Sequence, residues 1–137
     1  MHSFKNYVFY ICVAYYNLFG YNINKEVISL QIIKTSAYKQ DLKRKIINKH
    51  LDKEFDVIRK IEDLILSVNN LQELINNPFK NIYHIEKKSS NLKEIYTARV
   101  NKKIRLYLKP VGEYPYNLVE IEKIEFIKID DKHYKEG

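Results

Sequence analysis

The chain has one cysteine, Cys12, and no tryptophan. A single thiol closes no internal disulfide, so a stapled secreted scaffold is excluded and a reducing, cytoplasmic setting fits best. Its four histidines, His2, His50, His84 and His133, are scattered, without the close His/Cys spacing of a metal cluster, and no metal or other cofactor is expected. No internal repeat or low-complexity tract is present, which excludes a solenoid or a linker-like chain. The longest apolar stretch, the thirteen residues Tyr7 to Phe19, has the look of a short signal-peptide core. It is too short to span a bilayer, and no small-residue cleavage site follows it before Asn22 and Lys25, so no membrane role is expected.

At 137 residues, 45% hydrophobic and 30% charged, the composition is that of one globular domain with a real core rather than a disordered chain. The formal charge is +7, and it is concentrated in two segments. Residues 34 to 60 carry a net +5 and residues 80 to 109 a net +7, while the rest is neutral or acidic. Two basic segments on a small domain form the kind of footprint that binds a polyanion such as nucleic acid.

The order of elements reads strand, helix, helix, then β structure. Glu26 to Lys34 is rich in β-branched residues and ends at Thr35-Ser36, where Ser36 is placed to cap a helix. In that helix Tyr38, Leu42 and Ile46 recur on one face, with Lys39, Lys43, Arg44 and Lys45 around the rest. After a break at His50-Leu51, Asp52 is expected to cap a second helix whose stripe is Phe55, Ile58, Ile61, Leu64, Ile65 and Val68. One more turn is expected over Leu71 to Ile75, before Asn76-Asn77-Pro78. The last apolar stretch, Leu118 to Ile129, slips phase between Ile121 and Ile124, so a bulge or break is expected near Glu122-Lys123. Together these give an α+β fold, two N-terminal helices packed on a small twisted antiparallel sheet.

Of the 24 Lys and Arg, only Arg44, Arg59, Arg99 and Arg105 are arginine, and two of these flank the turn Asn101-Lys102-Lys103. A three-residue loop there pairs Val100 with Ile104, Ala98 with Leu106 and Tyr96 with Leu108 on one face. The same register sets Arg99 opposite Arg105 on the other face, beside Thr97, Tyr107 and Lys109. Opposed like charges destabilise a sheet, and an anion between them removes that cost. Arginine also offers a rigid donor fork that fits a phosphate. On this reading the bland alternative, a solvated strand face, stays open.

The run Tyr96-Thr97-Ala98-Arg99-Val100-Asn101 with Arg105, and the late His133-Tyr134, resembles the RelE/ParE toxin superfamily over roughly Glu26 to Lys135. The likeness is nearest to its RelE, YoeB and HigB-like mRNA interferases, toxins of type II toxin-antitoxin systems. Residues 1–25 then form an N-terminal extension and 26–137 the toxin domain. The resemblance implies a ribosome-associated endoribonuclease in which the ribose 2′-OH attacks the adjacent phosphate. Arg99 and Arg105 would hold that phosphate, and His133 and Tyr134 would move protons and stack on a base. RNA contacts are expected from Lys39, Lys43 and Arg44 on the helix and from Lys102, Lys103 and Tyr107 on the hairpin. Partners would be a cognate antitoxin, the ribosome and mRNA, with operator DNA reached only through the antitoxin. His84, just before the hairpin, is a second candidate for proton transfer, whereas His50 reads as a helix C-terminal residue and Asp130-Asp131 as no acid pair. The competing expectation is a non-catalytic ParE-like inhibitor of DNA gyrase, or a basic nucleic-acid-binding module on the same fold.

Overall fold

The computed structural model describes residues 29–88 and 94–132. The N-terminal extension, residues 1–25, therefore lies outside the described residues, as do the first three residues of the expected first strand, His133 and Tyr134. Strand β1, Gln31–Lys34, leads into helix α1, Ser36–Asp41, which continues as a π-helical turn over Leu42–Ile47. Helix α2, Asp52–Leu66, and the short α3, Leu71–Asn76, complete the helical part, and a 3-10 turn spans Pro78–Asn81. Four strands follow: β2 Glu86–Lys87, β3 Tyr96–Arg99, β4 Arg105–Pro110 and β5 Lys123–Asp130. They form one five-stranded sheet in the order β1-β5-β4-β3-β2, so β4 is central. No helix among the described residues is long and apolar enough to cross a membrane.

The helices form where the apolar spacing predicts. Tyr38 and Ile46 of α1 and Ile58, Ile61, Leu64 and Ile65 of α2 are buried against Ala98, Leu106, Leu108, Phe126 and Ile129 of the sheet. Tyr38 meets Phe126 edge-on with ring centroids 5.2 Å apart. The caps differ from expectation. Thr35, not Ser36, caps α1: its Oγ1 accepts from Tyr38 N at 3.2 Å and donates to Phe126 O at 2.8 Å, so one hydroxyl ends the helix and ties it to the sheet. Asp52 is the first residue of α2 rather than its cap, where it and Glu54 favour the positive end of the helix dipole. Leu71 to Asn76 is a separate helix, capped by the Asn70 side chain accepting from Glu73 N at 3.0 Å.

The sheet is antiparallel except at one edge. β1 runs parallel to β5, with Lys34 opposite Phe126, because the intervening helices, hairpin and loops form the long crossover that a parallel pair needs. β1 stops there, and α1 takes over the bonding of β5. Asp41 Oδ2 accepts from Ile129 N at 2.9 Å, and Lys45 Nζ donates to Ile129 O at 2.8 Å while lying 3.5 Å from Asp41 and 3.8 Å from Asp131. Lys45 is thus no member of the solvated helix face on which its spacing places it. The chain breaks at Glu122, as the phase slip predicts, but a bulge lies farther along: Tyr107 pairs with Lys128 and Leu108 with Phe126, leaving Ile127 extra. That bulge is what returns Ile129 to the core after Ile124 and Phe126.

Burial leaves the Tyr38 hydroxyl without a hydrogen-bond partner among the described residues, and the loss of water pushes its phenol pKa up, with the Glu62 carboxylate adding to the effect. An unsatisfied buried hydroxyl costs about 1–3 kcal/mol, whereas a phenylalanine keeps the packing without that group. Tyr38→Phe is expected to leave stability unchanged or raise it by about 1 kcal/mol in urea unfolding. A loss of more than that would mean that the hydroxyl is hydrogen-bonded in solution.

Candidate functional site

The hairpin has the register read from its alternation. Tyr96 opposes Leu108, Thr97 opposes Tyr107, Ala98 opposes Leu106 and Arg99 opposes Arg105. Asn101 makes the turn: its Oδ1 accepts from Lys103 N at 2.8 Å and Ile104 N at 2.7 Å, the local side-chain bonding that favours asparagine in turns. Lys102 and Lys103 are exposed at its tip. Since Ala98, Leu106 and Leu108 face the helices, the two arginines share the opposite face with Thr97, Tyr107, Lys128 and Asp130.

That face is not a solvated one. Arg105 is only 6% exposed, its Nη1 donating to Asn101 O at 2.6 Å and Ile104 O at 3.2 Å. Burial first, and the Arg99 charge second, pull its guanidinium below the ordinary arginine range, against the opposing pull of Glu86, Tyr107 and Asp130. Arginine stays charged regardless. Two partly desolvated cations side by side therefore form a locus where an anion is favoured. Arg99 Nε is buried with no hydrogen-bond partner among the described residues, an uncompensated donor beneath this face.

The second component is His84, whose Nε2 lies 3.3 Å from Arg99 Nη1. A guanidinium donates only, so as a hydrogen bond this contact calls for the His84 tautomer whose Nε2 accepts. Backbone bonds put it there. Arg99 N donates to Tyr83 O at 2.6 Å, and His84 itself sits at φ 46° in the left-handed region that favours glycine. The bonds His84 N to Asn81 O and Ile85 N to Lys80 O are those of a Schellman helix ending with His84 at its C′ position. His50 repeats the device: it has φ 55°, and His50 N bonds Ile47 O while Leu51 N bonds Ile46 O. That fits its expected place at a helix C-terminus.

Tyr107, 5% exposed, lies between two ammonium groups, Lys128 Nζ 4.5 Å and Lys88 Nζ 5.1 Å from its ring centroid. Its hydroxyl is 3.2 Å from Lys88 Nζ and donates to Asp130 Oδ2 at 3.4 Å. Lys88 and Lys128 are site residues that sequence reasoning missed, and Lys128 reaches Tyr107 only because of the bulge at Ile127. The structure separates the other expected contacts: Lys39, Lys43 and Arg44 are exposed on α1, across the sheet from the arginine pair. Asp130 and Asp131 part ways as expected, Asp130 toward Tyr107 and Asp131 toward Lys45 and Lys49.

No protein-family model matches the sequence, and no curated protein sequence matches it either. Solved structures do match the fold. A chain of the E. coli DinJ–YafQ toxin-antitoxin complex aligns over 76% of this chain and 93% of its own, at 15% identity and a TM-score of 0.54. A histidine variant of E. coli YafQ aligns over 74% of this chain and 91% of its own, at 16% identity and a TM-score of 0.50. Identities this low speak for architecture alone. The fold of this chain is similar to that of these E. coli YafQ chains.

Proposed function

We propose that the protein is the toxin of a type II toxin-antitoxin pair and that it acts in the cytoplasm as an endoribonuclease on ribosome-bound mRNA. The observation that carries this reading is the cross-strand pair Arg99 and Arg105 with His84 Nε2 at 3.3 Å from Arg99. In the reaction the ribose 2′-OH attacks the adjacent phosphate in line, a 2′,3′-cyclic phosphate forms, and the 5′-oxygen leaves with a proton. Arg99 and Arg105 hold the phosphate and stabilise the charge that grows on it, and such electrostatic stabilisation usually contributes most to catalysis of this kind. His84 is placed to take the 2′-OH proton. His133 and Tyr134, outside the described residues, are the proposed source of the leaving-group proton and of base stacking. Lys102 and Lys103 extend the same cationic end, while Lys39, Lys43 and Arg44 on the helical layer suit docking to ribosomal RNA rather than chemistry. An antitoxin is the proposed partner, in keeping with the fold match to a chain from a toxin-antitoxin complex.

The test is single-turnover cleavage on mRNA-programmed ribosomes, with growth arrest as a cellular readout. Arg99→Ala and Arg105→Ala should each slow cutting by about 100- to 1,000-fold, and lysine should rescue poorly because it lacks the fork. Arg105→Ala also removes the bonds to the turn, so its fold is checked by circular dichroism. Growth arrest that persists in the double variant without any RNA cutting would instead favour a non-catalytic, ParE-like inhibitor.

The two left-handed histidines give an internal control. Glycine relieves the αL strain at either position, worth roughly 1 kcal/mol, so His84→Gly and His50→Gly should both be as stable as the parent or slightly more so. Only His84→Gly should lose cutting, by about 100- to 10,000-fold, the usual worth of a positioned base. Equal activity of the two variants would remove His84 from the mechanism.

Residues 1–25 are proposed to be dispensable for cutting, since the resemblance to the toxins begins only near Glu26 and Gly20 with Asn22-Ile23-Asn24 suits a junction. A chain starting at Lys25 should fold by circular dichroism and cut at the parent's rate, whereas an unfolded product would make the segment structural.

A further inference from the structure

Phe79 and Ile82 are 60% and 61% exposed, among the most exposed large apolar side chains of the described residues. They stand three residues apart on a 3-10 turn, the spacing at which side chains eclipse, so they present one continuous apolar surface. The turn is rigid. Pro78 fixes its first φ, and Asn77 Oδ1 accepts from Phe79 N at 2.9 Å. Bonds three residues apart then link Lys80 N to Asn77 O, Ile82 N to Phe79 O, Tyr83 N to Lys80 O and His84 N to Asn81 O. His84 closes the same turn five residues after Phe79. The same rigid turn therefore carries the apolar pair at one end and, at the other, the imidazole that touches Arg99.

We infer that Phe79 and Ile82 form a base-binding subsite, a platform on which a nucleobase flanking the held phosphate of single-stranded RNA stacks. The inference rests on the RNA-directed reading above and adds to it a place for the base. Charge favours RNA as the occupant. Lys80 lies within the turn, His84 closes it beside Arg99 of β3, and Lys102 and Lys103 sit at the tip of the hairpin that carries Arg99. An apolar ring rimmed by cations matches the alternation of base and phosphate along a single strand. A protein partner with an acidic-apolar surface is the competing occupant, and the test separates the two. Stacking of this kind accepts any base, because each offers a π-face, so the subsite would position the strand without selecting a sequence.

The experiment uses the full chain and fluorescence anisotropy with 2′-O-methyl RNA oligomers, which keep base and phosphate but lack the attacking hydroxyl. Phe79→Ala should weaken binding by about 5- to 150-fold, the worth of one stacked base, while Phe79→Tyr retains it and Ile82→Ser loses less. A single abasic nucleotide moved along the oligomer should weaken parental binding by a similar factor at one position, and Phe79→Ala should be insensitive at that position. Parental affinity in Phe79→Ala, or equal sensitivity of parent and variant to the abasic nucleotide, overturns the subsite. So does a variant that binds RNA normally and loses only its antitoxin. If the parent cuts RNA and Phe79→Ala binds and cuts as well as it does, the subsite alone fails. If the parent neither binds nor cuts RNA, the nuclease reading fails and the subsite falls with it.

Discussion

The structure turns on the pairing of β3 with β4. Side chains alternate across a strand, so a slip of one residue would carry Ala98, Leu106 and Leu108 out of the core and the arginines into it. Burial of those apolar groups against α1 and α2 therefore fixes the register, and Asn101 fixes it again by holding the turn with two hydrogen bonds. Once the register is set, Arg99 and Arg105 have nowhere to be but opposite one another. The repulsion is worth only a few tenths of a kcal/mol to about 1 kcal/mol, less than the burial of a single leucine. The core can thus impose on the outer face a charge arrangement that the outer face alone would not choose.

How much of this is legible in the sequence follows from the range of the interactions. The hairpin register and both helical stripes are written in local periodicity, and both appear as read. The arginine pair follows from the register alone. The parallel edge of β1 is not local: it depends on where the chain returns after some 90 residues, Lys34 meeting Phe126. The cap of α1 could be Thr35 or Ser36 by residue type, and what decides it is the distant Phe126 carbonyl that Thr35 also bonds. A two-residue strand such as β2 has no period to read, and the bulge at Ile127 is visible only against its partner strand. His84 is readable as a candidate but not as a neighbour of Arg99, because their contact depends on the pairing of Tyr83 O with Arg99 N across the chain.

The histidines show why a strained backbone position alone is a poor guide to chemistry. His50 and His84 close two helical segments with the same hydrogen bonds and nearly the same positive φ. A helix end needs a residue there that tolerates the left-handed region, and histidine is tolerated better than a branched side chain. Local geometry therefore treats the two alike. They differ in what the surrounding fold brings to them, since His84 meets a guanidinium and His50 stands exposed in the turn between α1 and α2.

The same distinction orders the charges. The two basic segments look equivalent as counts along the chain, yet the sheet lies between them. Lys39, Lys43 and Arg44 are on the helical layer, where they keep their water and act on a partner only through a screened field. Arg99 and Arg105 are on the opposite face, where partial desolvation strengthens every interaction with an anion and the register fixes their orientation. A screened, flexible set of lysines suits a wide polyanionic surface, and a desolvated, fixed pair suits one phosphate. On the proposed function, the helical layer would hold a large partner weakly while the opposite face confines a single reacting group, and neither task would compromise the geometry of the other.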